Sequence, residues 1–204
     1  GKNAAIAASK PYKDYIAWLN SLDKDATELF WRKELSGLTS PTPISIGYTA
    51  SQKTHIYKGK TTELSLKMTH KLRSIASNHN FTVNNIVQAA WAVLLYHYTR
   101  YDDIIFGVTV SCRPPELKGI ENMVGLFINT IPIRVTISND TDVLSLIESL
   151  QSGYLKKEPY SHASLADIKS WSQITGITSL FESIIVFENY PIHEFINNKG
   201  NKVE

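Results

Sequence analysis

One cysteine, six histidines and one polar loop are the parts of this chain whose residue types could carry chemistry. Cys112 follows an apolar run and precedes Arg113, whose charge would favour a thiolate nucleophile. A catalytic cysteine also needs a positioned base, and spacing gives no histidine that place, so Cys112 reads as a buried or incidental thiol. His55, His70, His79, His97, His162 and His193 are widely separated, and none has a histidine or cysteine at ligand spacing, which argues against a metal site. Gly59-Lys60-Thr61 has the end of a phosphate loop, but Thr54 stands at its upstream glycine position. Gly-x-Gly-x-x-Gly, Gly-x-Ser-x-Gly and His-Glu-x-x-His are absent, which removes the common nucleotide, serine-hydrolase and zinc-protease readings. Trp18, Trp31, Trp91 and Trp171 read as packing residues.

The loop from Ser111 to Thr130 is the most suggestive region. Its prolines and glycines are costly inside regular structure, and it is longer than an ordinary connection. Ser111, Arg113, Asn129 and Thr130 become candidate polar groups beside an apolar wall of Val124, Leu126, Phe127 and Ile128. The pattern leaves two readings open: a shaped functional loop, or an ordered strand connection whose polar residues bond backbone.

The elements that must position this loop follow from periodicity. Pro11 with Tyr12, Tyr15, Ile16 and Leu19 predicts a helix over 11–22, with Asp14 near its positive end. Asp23 or Asp25 caps a second helix, which Gly37 ends. The stretch 37–43, with two prolines, predicts a linker or surface crossing. Loose alternation from His55 to Leu66 predicts a half-exposed strand, followed by a short helix to about Asn78. Thr82 caps the clearest helix, whose apolar residues through Tyr98 form a surface wide enough to be mostly buried. Ile104–Val110 reads as an interior strand and Ile131–Ile137 as another. Asp142 begins a helix to about Lys157, and a weaker helical pattern follows Ser164. Phe181–Phe187 predicts a fully covered strand. Strands alternating with helices imply an α/β fold, a mixed β-sheet covered by helices.

Composition narrows the class. The 204 residues suffice for one sizeable core, and 43% hydrophobic with 20% charged residues describes a chain that folds. A net charge of +2 from interspersed residues gives no footprint for nucleic acid. One cysteine excludes an internal disulfide and fits a reducing compartment. No apolar stretch approaches membrane-spanning length, so the expected setting is soluble and cytoplasmic. Asn80-Phe81-Thr82 and Asn139-Asp140-Thr141 match the glycosylation sequon but lack a secretion signal to give them meaning.

Five segments in register resemble one family. Val124-Gly125-Leu126-Phe127-Ile128-Asn129-Thr130, followed by Arg134, resembles the Gly-x-Phe-(Val/Ile)-Asn-Thr motif of condensation domains in nonribosomal peptide synthetases. Tyr12–Trp18 is similar to that family's Tyr-x-Asp-Tyr-x-x-Trp motif, and Phe30–Gly37 to its Trp-Arg-x-x-Leu-x-Gly helix. Phe106–Pro115 resembles the Phe-Gly-x-Thr-Val-Ser-Gly-Arg-Pro segment, with Cys112 where glycine is usual. Val186–Pro191 is similar to its late strand.

The resemblance implies a chloramphenicol-acetyltransferase-like lobe, one of two that form a V around a tunnel. It implies transfer of a carrier-bound acyl or peptidyl thioester to the amine of a carrier-bound aminoacyl acceptor. No cofactor is bound directly; 4'-phosphopantetheine arms come with the donor and acceptor peptidyl carrier domains. An N-terminal lobe and an adjacent adenylation domain are the other expected partners, with no nucleic acid and no membrane. Ser111, Arg113, Gly125, Phe127, Asn129 and Thr130 are implied near the tunnel, and Tyr12, Asp14 and Trp18 at the lobe junction. None of these is assigned as a catalytic residue. The family's His-His-x-x-x-Asp-Gly motif is absent, since no residue four positions after a histidine here is aspartate. The expectation is therefore an incomplete C-terminal lobe over 44–196, preceded by a flexible start (1–10) and a helical lead-in (11–43) and followed by a polar tail (197–204). By itself such a lobe is expected to be inactive. The alternative is a non-catalytic module that binds carrier or neighbouring synthetase domains.

Overall fold

The structure, a computed structural model, describes residues 10–44, 57–174 and 179–188. The expected flexible start, the polar tail, the first two residues of the strand expected from His55 and the end of the Val186–Pro191 segment lie largely or wholly outside these residues.

A three-stranded mixed sheet organises the chain, in the order β2-β1-β3. Strand β1 (Asp103–Ser111) is central. It pairs antiparallel with β2 (Ile128–Thr136), from Asp103 opposite Thr136 to Ser111 opposite Ile128. It pairs parallel with β3 (Ile184–Ile185) at Gly107 and Val108. Ile104, Ile105, Phe106 and Val108 are all at most 1% exposed, as a continuous apolar run in an interior strand requires. Burying such a side chain contributes about 1.5–3 kcal/mol, so β1 is the axis of the core.

Six α-helices are described: α1 (Lys13–Ser21), α2 (Lys24–Glu34), α3 (Leu66–Asn78), α4 (Val83–Thr99), α5 (Val143–Lys157) and α6 (Leu165–Trp171). Asp23, Ser65, Thr82, Asp142 and Ser164 cap five of them through side-chain oxygens that accept first-turn N–H groups. Thr82 and Asn85 complete a reciprocal capping box on α4.

Several expectations are corrected. Residues 57–65 form no strand and are exposed; their loose alternation has no neighbouring strand to bond. On α4 the buried face is Asn85, Gln88, Ala89, Ala92 and Leu95, while Val87, Leu94 and Tyr98 are exposed. A single packed layer covers only one stripe of a helix, and the alanines let this stripe approach β1 closely. Only two residues of 181–187 pair as a strand, and Ile184 and Val186 are more than half exposed. An apolar run marks a strand but does not say whether a layer covers it. The stretch 37–43 lacks regular structure as expected, yet it is no surface crossing. Leu38, Pro41 and Thr42 are buried, and Thr42 Oγ1 accepts a 2.8 Å hydrogen bond from the Ile105 N–H. Finally β2 begins at Ile128, so Asn129 and Thr130 belong to a strand and the loop is confined to 112–127.

Candidate functional site

The ends of β1 and β2 meet the turn that joins α5 to α6 at a single backbone carbonyl. Asn129 Nδ2 donates 2.7 Å bonds to Ser161 O and to Ala163 O, while its Oδ1 accepts from the Thr130 N–H at 2.9 Å. Cys112 Sγ donates to the same Ser161 O at 3.4 Å, and Cys112 N–H donates to Phe127 O at 2.6 Å. Asn129 is thus a clamp between a strand and a turn, with both amide protons used. Burial pushes the Cys112 thiol up from its ordinary value, so the thiolate is disfavoured. The expectation that Arg113 would favour a thiolate is overturned. The Arg113 guanidinium lies 3.9 Å over the Phe127 ring centroid and donates to the carbonyls of Ile120 and Met123. Its charge organises the loop and not the sulfur.

A cluster of aromatic rings fixes the loop to α1. Phe127 is buried edge-on against Tyr12 and Tyr15, with centroids 5.3 and 4.8 Å away. Tyr12 Oη donates to Leu126 O at 2.7 Å. Trp18 stacks on Tyr15 at 5.8 Å and meets His162 edge-on at 6.3 Å. Burial, the largest cause, pushes the Tyr15 phenol up to about 12. Asp14 is half-buried in the first turn of α1, where the helix dipole favours its charge. Of the residues expected at a lobe junction, Tyr12 therefore grips the segment expected at a tunnel directly and Trp18 adjoins it through Tyr15, with α1 as the bracket for the loop.

Two open surfaces adjoin this bracket. The first is a cleft of about 410 Å³ whose lining includes Trp18, Leu22, Ser111, Arg113, Pro159 and His162. The second is the sheet face at the same end of β1 and β2. Register puts Thr109, Ser111, Ile128 and Thr130 on one face, along with Ile184 of β3, and Ser111, Ile128 and Ile184 are exposed there. Asn129 and Val110 lie on the opposite face. The structure thus brings Ser111 and Arg113 together at the cleft and leaves Thr130 half-buried on the sheet face beside the exposed Ile128. Gly125 and Phe127 lie in the bracket, and Asn129 lies behind the sheet. Sequence reasoning missed His162 and Pro159; the only signal was the helix-breaking Pro159 after α5. His162 Nδ1 donates to Pro159 O at 3.0 Å, and burial holds its pKa below the ordinary histidine value. The described residues contain no group of three His, Cys, Asp or Glu side chains that could hold a metal ion, and no helix long and apolar enough to cross a membrane.

One sheet face packs on helices, and the other is covered by the segment 34–43 around Ile105, Pro132 and Arg134 and opens only at its Ser111 and Ile128 end, beside the clamped loop. The Condensation domain family model matches residues 1–203, and the chain belongs to that family. It is similar to a linear gramicidin synthase of Brevibacillus parabrevis, 40% identical over 206 residues, which is all of this chain and 3% of that protein. It is likewise similar to surfactin synthase subunit 3 of Bacillus subtilis (strain 168), 37% identical over 201 residues, 98% of this chain and 16% of that one. The chain therefore spans only a small part of these curated relatives. Among solved structures, it superposes on a four domain nonribosomal peptide synthetase bound to AMP and glycine with a TM-score of 0.77, at 18% identity, covering 94% of this chain and 15% of that one. It superposes on the first condensation domain of the CDA synthetase with a TM-score of 0.70, at 16% identity, covering 90% and 40%. The structural likenesses carry the fold: the chloramphenicol-acetyltransferase-like α/β architecture that the motifs implied.

Proposed function

We propose that this chain is one lobe of an amide-forming condensation enzyme. The open end of its sheet face, with Ser111, Ile128 and Thr130, forms one wall of the reaction tunnel. The observation that carries this reading is that open end itself: apolar and hydroxyl side chains lie uncovered beside a loop held by Tyr12, Arg113 and Phe127. In the reaction the acceptor amine attacks the thioester carbonyl, the C–N bond forms, the C–S bond breaks, and the amine proton is lost as the thiol leaves protonated. A base for that proton comes from outside this chain, because its nearby candidates are otherwise engaged. Asn129 has spent both amide protons, the Cys112 thiol is buried, and His162, its basicity lowered by burial, has Nδ1 bonded to Pro159 O and Nε2 3.4 Å from Thr27 Oγ1. Arg113, Gly125, Phe127 and Asn129 are positioning residues for the wall, and Tyr12, Asp14 and Trp18 hold the junction. Donor and acceptor peptidyl carrier domains deliver 4'-phosphopantetheine thioesters. An N-terminal lobe supplies the histidine motif, an adenylation domain lies adjacent, and the assembly works in the cytoplasm.

The test joins this chain to the His-His-x-x-x-Asp-Gly lobe of a relative and supplies loaded carriers, with the amide product read by mass spectrometry. Product that disappears on Thr130→Trp, in a protein that still folds, supports the reading. A folded two-lobe assembly that forms no amide, while the relative's own pair does, overturns it. Carrier binding without turnover in that assembly would favour the non-catalytic binding module.

A further inference from the structure

We propose that α3 and the groove beside it form a docking surface for an acidic, amphipathic protein segment, a role separate from the reaction wall. From Tyr57 to Asn78 the chain carries Lys58, Lys60, Lys67, Lys71 and Arg73 against Glu63 alone. This segment has a net charge of +4, while the whole chain has +2, so the remainder is slightly acidic and the positive charge is local. All five cations are exposed, and none has an ion-pair partner among the described residues. Large apolar side chains are exposed among them: Leu64, Leu66, Met68 and Ile75 are 60%, 79%, 49% and 44% exposed. Helix α3 buries only Ala76 fully, so most of its surface has no structural partner in the described fold. Isolated exposed leucines are ordinary, but here helical spacing puts Met68 and Ile75 on one flank of the packed side of α3 and Leu66 and Arg73 on the other, with Leu64 lining the groove beside Arg73.

Shape decides the kind of partner. Between α3 and the start of α4 lies a groove of about 440 Å³ whose lining includes Leu64, Leu72, Arg73, Val83 and Phe187. A groove with an apolar floor and a guanidinium at its rim suits apolar side chains presented by a helix, with carboxylates on the flanking positions. A flat anionic bilayer would meet the lysines and leave the groove unfilled. Neither Asp nor Glu lines the groove, so a carboxylate-bearing partner meets no like charge there.

The test uses the full chain and a fluorescein-labelled helical peptide with Leu at i, i+3, i+4 and i+7 and Glu between. Saturable binding is expected, weakened about tenfold or more by the combined Lys58→Glu, Lys60→Glu, Arg73→Glu change and by added salt, and changed far less by Lys67→Glu with Lys71→Glu, which helical spacing puts on the side of α3 away from the groove. All of these positions are exposed, so circular dichroism should be unchanged. Phe187→Ser should weaken binding without changing its salt dependence. The proposal is overturned if the peptide does not bind, if charge reversal at Lys58, Lys60 and Arg73 leaves affinity intact, or if a Lys-for-Glu peptide binds equally well. It is also overturned if vesicles rich in phosphatidylserine bind the chain while the peptide does not, or if charge reversal abolishes self-association of the chain.

Discussion

The ring of Tyr12 fills the space that a side chain on Gly125 would need: a Cβ built there would lie 2.5 Å from Tyr12 Cε2 and 2.9 Å from Cγ. The same tyrosine donates to the next residue's carbonyl, Leu126 O, at 2.7 Å. Gly125→Ala should therefore push the ring out of the bracket and destabilise the chain by about 1–3 kcal/mol. Tyr12→Ala also destabilises, but the two changes together should cost less than their sum, because the second removes the atoms that the first strikes. Denaturant melts of the four proteins check this, and strict additivity would show that the contact carries no energy.

The two carbonyls that face Asn129 make its amide hard to replace. Asn129→Asp keeps the shape but substitutes a carboxylate for the donor shared by Ser161 O and Ala163 O. A loss of about 2–4 kcal/mol is expected, from the lost bonds and the unpaired charge. The aspartate variant should regain part of that stability in acid, where the protonated carboxyl can donate again. A chemical melt of Asn129→Asp that matches the parent at neutral pH would remove Asn129 from the clamp.

Much of this arrangement is legible in the chain, and what is not has physical reasons. The caps Asp23, Thr82, Asp142 and Ser164 are local signals, since each side chain bonds an N–H within three residues. The interior strand at Ile104–Val110 declares itself by composition. Thr42 does not, because its partner Ile105 lies 63 residues away and is known only once β3 stops short of it. The cleft is half visible: Ser111, Arg113 and Trp18 lie on recognisable segments, whereas His162 enters from a turn with no periodic signal. The exposed side of α4 is hidden from the sequence because hydrophobicity reports what could be buried and not which stripe is.

Cys112 and Tyr15 give the chain an alkaline limit. Burial raises both groups above their ordinary values of 9.0 and 10.0, Tyr15 to about 12. An acid whose pKa is raised by folding binds its proton more tightly in the native state. Its stabilising effect is complete below the unfolded pKa and is lost as pH rises through the folded one. The melting temperature should therefore begin to fall above pH 9, and Cys112→Ala should delay the fall. In line with this, the native thiol should resist alkylation at pH 8 and react once denaturant is added. Rapid native labelling would contradict the burial of the sulfur.

His162 sets a limit on the acid side. Burial holds its pKa below 6.5, so the unfolded chain takes up the proton first as pH falls. The stability it contributes is present above pH 6.5 and is lost as pH drops through the lowered folded value. Protonation also places a cation beside the Trp18 ring, 6.3 Å away, which should quench tryptophan fluorescence. A fluorescence titration from pH 7 to 4 should show a step that is missing in His162→Gln. An identical step in the variant would assign the transition to another group.

The row Val124, Leu126 and Ile128 is 84%, 71% and 60% exposed, while Gly125 and Phe127 between them face Tyr12, so the row stands in water on the segment that leads into β2. The neighbouring Phe127 is buried and held by three partners, so the row cannot turn inward without breaking the bracket. Apolar side chains fixed in water on a rigid edge lower their free energy by finding another such surface, and two copies of this chain provide one. The chain by itself should therefore self-associate as its concentration rises, read by light scattering. Leu126→Ser should suppress the association without changing the melting temperature, because the leucine is exposed. The upstream lobe supplied in trans should suppress it too if that lobe covers this wall. A chain that stays monomeric across a wide concentration range would show that the row is tolerated in water and would weaken its claim to be an interface.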